Sequence, residues 1–485
     1  MQRDKIMVLF QRGYECEREI KLFYNMFFNK DDDVTVTSEF KYENKIINVY
    51  TVIEYKNRLY NEDYYFKFDT ENKSEKTIKK VFTAACTKSF VHASKKIKDI
   101  NLPWGVMCGV RPAKNVRELY DEGFSDSEVR EIFKTVYEVS EDKIDLSLTV
   151  ANNEKKILKD NSPDKVGIYI GIPFCPTRCV YCSFVSTDIR TSGKYMNEFS
   201  QKLVLEIKKT AKILKKANLK IESIYIGGGT PTALDNKNLE LILKTLNSEF
   251  DLSYLSEFTL EAGRCDTITE EKLKTAKKYG VDRISINPQT MNDKTLVKVN
   301  RCHTAKDVID CFNMARNIGF YNINMDLIAG LPDEDFSDFK HSLDEVIKLN
   351  PDDITVHSMC IKYGARLNSI DFELTKSSIM NKMLSYMQES MKKTGRVPYY
   401  MYRQKNSSGN LENVGYSYPN KMGRYNVNIM EEKQTIIALG GGGSTKIVGK
   451  DIQRIFNFKD PKVYIDRFDE ILAKKDEILK IMEVV

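Results

Sequence analysis

The residues best suited to chemistry lie in one short stretch, Gly171-Ile-Pro-Phe-Cys175-Pro-Thr-Arg-Cys179-Val-Tyr-Cys182, whose cysteines follow a CxxxCxxC spacing. Three thiolates on one loop can each bind an iron of a cubane cluster, which leaves the fourth iron without a protein ligand. The amino and carboxylate groups of S-adenosylmethionine can chelate that iron, so that an electron from the cluster reaches the sulfonium and releases a 5'-deoxyadenosyl radical. A structural zinc site is the alternative, but such sites are four-coordinate and pair two short cysteine or histidine knuckles. No second knuckle is visible, and His303, His341 and His357 are scattered along the chain. A second signal is Ile226-Gly-Gly-Gly-Thr-Pro231. Its glycines let the backbone approach a ligand, whose amino or carboxylate group the amides could grip. A glycine-rich turn is structural about as often as it is functional; its place after the cysteine loop links it to the same site.

Both motifs need strand ends to carry them. From residue 166 onward short β-rich runs alternate with longer helical stretches, which predicts parallel strands joined by crossover helices. The strand candidates are Val166 to Ile172, Ile221 to Ile226, Glu257 to Ala262, Arg283 to Asn287, Ile323 to Ile328 and Asp353 to Val356. Six βα units predict an α/β fold, a partial (β/α)6 TIM-like barrel whose chemistry sits at the carboxyl ends of the strands. Three regions follow: residues 1–159, an α+β and then helical accessory region; 160–394, the barrel; and 395–485, a carboxyl-terminal extension covering it. The glycine run Gly440-Gly-Gly-Gly-Ser444 reads as a turn.

Composition narrows the function classes. The 485 residues carry a net charge of only +6, with basic residues spread throughout, so a nucleic-acid footprint is not indicated. No run approaches the ~20 apolar residues of a membrane span, and Ile6 to Phe10 is too short for a signal-peptide core, which predicts a cytoplasmic protein.

The motifs together resemble the radical S-adenosylmethionine superfamily, and within it the oxygen-independent coproporphyrinogen III oxidase group. The blocks that carry the likeness are Tyr169-Ile-Gly-Ile-Pro-Phe-Cys175, Gly-Gly-Gly-Thr-Pro-Thr232, Asn-Pro-Gln289, Val-Asn-Arg301 and Asn-Met-Asp-Leu-Ile-Ala-Gly-Leu-Pro332. A closer likeness is to the HemZ-type branch, coproporphyrinogen dehydrogenase, through Cys-Gly-Val-Arg-Pro112, Leu-Glu-Ala-Gly-Arg264, Tyr-Arg-Gln-Lys405 and Gly-Asn-Leu-Glu-Asn-Val-Gly-Tyr416.

The resemblance implies a 4Fe-4S cluster on Cys175, Cys179 and Cys182. It places Tyr169, Gly228 and Glu261 against the cluster-bound S-adenosylmethionine. As strand residues, Tyr169 could equally be core and Glu261 half of a structural salt bridge. Tyr181, Gly229, Thr230, Gln289, Arg301, Asp326 and, more loosely, Cys360 fall where the family places a second S-adenosylmethionine. The implied reaction is anaerobic oxidative decarboxylation of coproporphyrinogen III propionates to vinyl groups, a step of porphyrin and heme biosynthesis. It calls for a tetrapyrrole substrate, a reducing donor such as flavodoxin or ferredoxin, and an external electron acceptor. Four substrate carboxylates need cations, and Arg264, Arg301, Arg403 and Lys405 are the candidates.

Two departures bear on substrate identity. The HemN branch carries an amino-terminal segment with no equivalent here, and a histidine where this chain has Gly171. The rivals are a HemW-like heme chaperone and a radical methyltransferase or heme-modifying enzyme. The tyrosine-rich segment from Tyr399 to Tyr425, with Tyr400, Tyr402 and Tyr416, could close over a flat tetrapyrrole or serve only for packing.

Overall fold

The computed structural model describes residues 7–29, 31–183, 186–360, 375–404 and 410–482. The chain forms two compact units, Met1–Val110 with Asn115–Leu148, and Arg111–Lys114 with Thr149–Val485.

The first unit is built on a four-stranded sheet in the order β1 (Val8–Arg12), β2 (Val34–Glu43), β3 (Ile46–Tyr55) and β4 (Arg58–Lys67). Strands β2 to β4 pair antiparallel, and in β2 and β3 alternate side chains are buried. The buried face packs on helix Glu75–Lys95, whose Ser89 hydroxyl reaches the Val49 carbonyl (3.2 Å) and Thr51 Oγ1 (2.8 Å). Helices Pro112–Asp121, Asp126–Thr135 and Glu141–Leu158 follow.

In the second unit the six expected strands are all present: β5 (Lys165–Ile172), β6 (Lys220–Gly228), β7 (Glu257–Glu261), β8 (Arg283–Ser285), β9 (Ile323–Ala329) and β10 (Asp353–Ser358). They pair in parallel in chain order. Ile168, Ile170, Ile224, Leu260, Ile284 and Leu327 are fully buried, as parallel strands flanked by crossover helices require. The crossover helices begin and end where their caps dictate. Thr304 with Asp307, and Asp335 with Asp338, form capping boxes at the starts of Ala305–Ile318 and Phe336–Leu349, and Gly319 closes the former in the left-handed region.

Residues beyond 395 lengthen the same sheet at both ends. At one edge β12 (Glu412–Ser417) runs antiparallel to β10, with β11 (Val397–Arg403) outside it. At the other, β13 (Thr435–Gly440) lies parallel to β5, followed by β14 (Ser444–Val448) and β15 (Ile452–Phe456). The order is β11-β12-β10-β9-β8-β7-β6-β5-β13-β14-β15, an open sheet with no pairing between β11 and β15 among the described residues. The glycine run is a fixed turn. The Gly441 amide donates to the Gly171 carbonyl at 2.8 Å, and a β-carbon at position 171 would collide with the Gly441 carbonyl oxygen. A histidine there is incompatible with this turn, which gives the Gly171 departure a local cause.

Candidate functional site

The carboxyl ends of the six strands open onto a cavity of about 310 Å³. Its first wall is the cysteine loop after β5. Cys175 and Cys179 are buried and Cys182 half-buried, and all three line the cavity. Burial pushes the Cys175 thiol up, so a metal charge is needed to hold it as thiolate. Among the described residues no three Cys, His, Asp or Glu side chains converge on a single-ion geometry. Cluster ligands bind separate irons and need not converge on one point.

The loop is braced by the segment that follows β8 and the short helix Asp293–Lys298. Thr177 Oγ1 donates to the Asn300 carbonyl (3.0 Å), Asn300 Nδ2 to the Arg178 carbonyl (2.8 Å), and the Val180 amide to the Val299 carbonyl (3.3 Å). These contacts give the Val-Asn-Arg301 block a physical reason. Arg301 is buried, with Nη1 on the Tyr181 hydroxyl (3.1 Å) and Nη2 on the carbonyls of Gly263 (2.9 Å) and Asn287 (2.5 Å).

Glu261, at the end of β7, accepts from the Tyr225 hydroxyl. Burial pushes its carboxyl up to about 7 against that hydrogen bond, with the Asp326 charge adding to the rise. The structural salt bridge considered for Glu261 does not form among the described residues. Beneath it three tyrosines stack: Tyr225 on Tyr425 (4.4 Å between centroids, 20°), with Tyr169 at 6.3 Å and 6.2 Å from the two. Tyr169 therefore stands in this stack and not on the cavity lining.

Gly228, Gly229 and Thr230 line the cavity, but their amides are not the free donors expected. Those of Gly229 and Thr230 donate to the carbonyls of Ile172 (2.8 Å) and Phe174 (2.7 Å), tying the glycine turn to the cysteine loop, and that of Gly228 is directed at Glu261. Gly228 has φ +108°, which a side chain rarely adopts.

Across the cavity lie Gln289, Asp326 and Cys360. Gln289 Oε1, Asn287 Oδ1 and Arg301 Nε are buried without a partner among the described residues, the pattern of a site awaiting a polar ligand. Asp326 accepts from Asn324 Nδ2 (2.8 Å) and lies 3.8 Å from His357 Nε2, whose Nδ1 is 3.2 Å from the Tyr402 hydroxyl. Tyr400 also lines the cavity, held by Thr355 (3.1 Å), whereas Tyr416 is buried away from it.

The cationic candidates fare unevenly. The Arg264 guanidinium lines the cavity, yet all three of its nitrogens are engaged by Asp266, Thr177 and Cys179. Arg403 is buried outside the lining, with Nε on the Asn410 carbonyl (3.2 Å). Lys405 lies outside the described residues. Sequence reasoning missed Arg283, Asn324, His357 and Gln404, which line the cavity as well. His357 carried a signal, a titratable residue just past the predicted strand end after Val356; Asn324 and Gln404 stood inside blocks that carry the resemblance but were given no role, and Arg283 gave none.

The Radical SAM superfamily model matches residues 169–346. The oxygen-independent coproporphyrinogen-III oxidase-like protein HemZ of Bacillus subtilis is 39% identical over 389 residues, 79% of this chain and 78% of that protein. The heme chaperone HemW of the same organism is 38% identical over 197 residues, 40% of this chain and 50% of its own length. Among solved structures, coproporphyrinogen III oxidase HemN of Escherichia coli, a radical SAM enzyme, shares the fold with a TM-score of 0.53 and 22% identity, over 66% of this chain and 72% of that one.

Proposed function

The chain belongs to the HemZ group of oxygen-independent coproporphyrinogen-III oxidase-like proteins in the radical S-adenosylmethionine superfamily, and we propose that it oxidatively decarboxylates coproporphyrinogen III propionates to vinyl groups. The superfamily uses a 4Fe-4S cluster and S-adenosylmethionine. The observation that carries the reading is the joining, on one cavity, of the cysteine loop with the ends of β6 to β10 and with Tyr400, Tyr402 and His357.

When bound, the cluster and S-adenosylmethionine supply a hydrogen-abstracting radical. The chain supplies placement and charge. Cys175, Cys179 and Cys182 would hold three irons of the cluster. Glu261 receives a cationic group of S-adenosylmethionine, while Gln289, Arg301 and Asp326, with Tyr181 behind Arg301, suit a second polar ligand. Tyr400, Tyr402 and His357 form the wall against which a flat tetrapyrrole lies. At each propionate one hydrogen atom would leave the β-carbon for the deoxyadenosyl radical, giving deoxyadenosine, carbon dioxide would depart, and one electron would pass to an external acceptor; a flavodoxin- or ferredoxin-type donor would supply the reducing electron. The likeness to HemW supports a second reading, heme binding without vinyl formation.

The test is anaerobic. The cluster is reconstituted and reduced, S-adenosylmethionine is added with and without coproporphyrinogen III, and deoxyadenosine and porphyrin products are quantified by mass spectrometry. Substrate-dependent deoxyadenosine with one and two decarboxylations is expected. Deoxyadenosine without decarboxylated product removes this substrate. Neither product from a reduced, intact cluster, together with stoichiometric heme binding, moves the chaperone reading to first place.

A further inference from the structure

We propose that Arg264 is a positioning residue of the cluster loop that raises the cluster's reduction potential through Cys179, in place of the substrate contact its residue type suggested. Arg264 is 3% exposed. Its Nη1 donates to Cys179 Sγ (3.6 Å), the Thr177 carbonyl (3.0 Å) and Thr177 Oγ1 (2.8 Å). Its Nε and Nη2 are fixed by the Asp266 carboxylate at 3.0 and 2.7 Å. The backbone is pinned too, since the Arg264 carbonyl accepts from the Thr267 amide (3.0 Å) and hydroxyl (2.8 Å). Every guanidinium nitrogen already has a protein acceptor, and the cation is locked against one cysteine sulfur.

An N–H donor and a buried positive charge at a cluster sulfur favour the reduced cluster, which is one electron more negative. Asp266 opposes this by partly neutralising the guanidinium, so the two residues act in opposite directions. A purely mechanical brace on the loop would stabilise both oxidation states alike and leave the potential unmoved. The proposal rests on Cys175, Cys179 and Cys182 being the cluster ligands.

The experiment uses the full chain, anaerobically reconstituted without S-adenosylmethionine, with iron and sulfide analysis and a potentiometric titration followed by EPR. The chains compared are the parent, Arg264→Gln, Arg264→Lys and Asp266→Asn. At the parent's midpoint, R264Q is expected to lower the ratio of reduced to oxidised cluster about tenfold, ~59 mV for a one-electron couple. D266N raises the ratio, and R264K, which keeps the charge but not the fork, falls between R264Q and the parent. R264Q and D266N both titrating with the parent at full iron content would overturn the proposal. If R264Q fails to load iron, D266N and R264K decide it by the same criterion. A parent that binds no cluster instead removes the assignment of the cysteines, and this proposal with it.

Discussion

Glu261 occupies a place no carboxylate favours, because burial outweighs the Tyr225 hydrogen bond and Asp326 adds like charge. With its carboxyl pushed up to about 7, the unfolded chain gives up this proton at lower pH than the folded one. Below about pH 4.5 the residue contributes nothing. Between there and pH 7 it destabilises the fold progressively, and above pH 7 the cost levels off near ~3 kcal/mol. Glu261→Gln without cofactors should therefore melt with the parent near pH 4.5 and about 4 °C above it at pH 8, in calorimetric scans across that range. A gap of equal size at both pH values would trace the effect to packing. The same variant should lose S-adenosylmethionine retention in equilibrium dialysis, the mark of a residue kept for binding at a cost in stability. Residues of this kind were legible only where their chemistry is local. The cysteine spacing and the glycine run announce themselves within a dozen positions, whereas Arg283, bonded to Asp353 (2.6 Å) and the Lys421 carbonyl (3.0 Å), has partners that only the folded sheet brings together.

At the scale of elements, the turn after β6 and the loop after β5 are one piece, joined by the Gly229 and Thr230 amides. A β-carbon on Gly229 would meet the Phe174 carbonyl oxygen at 2.5 Å and that of Ile172 at 3.0 Å, both backbone atoms of the stretch that leads into Cys175. Gly229→Ala should thus at least halve the iron bound after reconstitution while circular dichroism still reports a folded chain. Gly263→Ala is the control, since a β-carbon there meets nothing within 4 Å. It should keep full iron and shift stability by less than about 0.5 kcal/mol. Equal losses in the two would refute the steric argument. The six barrel strands could be read ahead of the structure because short runs with buried apolar residues alternate regularly with helices. Strands β11 to β15 could not: past residue 395 the alternation with helices stops, the tyrosine-rich β11 gives no apolar period, and β13 to β15 are short runs split by turns. Nor could the first half of β4, Arg58 to Asp63, whose alternating polar residues give no apolar signal.

For the whole second unit, one buried acid gathers several of the late residues. Glu206 accepts from the Gly440 amide (2.8 Å), Asn457 Nδ2 (2.8 Å), the Tyr464 hydroxyl (2.6 Å) and Lys475 Nζ (2.9 Å), and it and Lys475 are almost wholly buried. Lys475→Met alone strands that charge and should cost about 3–5 kcal/mol in denaturant unfolding. Adding Glu206→Gln should return part of the loss; a strictly additive double variant would show that the two side chains do not couple. Helix Glu141–Leu158 belongs to this unit in its later turns, where Asn153 Nδ2 donates to the Pro398 carbonyl (2.9 Å) and Ile157 packs with Tyr399 and Tyr400. A chain beginning at Asp160 should accordingly melt several degrees below one beginning at Glu141, and coincident melting would deny the helix that part. The pairing of β13 with β5 has a last consequence, for the order in which the protein is made. Strand β5 leaves the ribosome 270 positions ahead of its outer neighbour, Lys165 against Thr435. At ~5–20 residues per second it waits roughly a quarter of a minute to a minute with one edge bare. The turn that seats Gly171 is absent throughout that interval, so iron delivered during translation would find the cysteine loop half built.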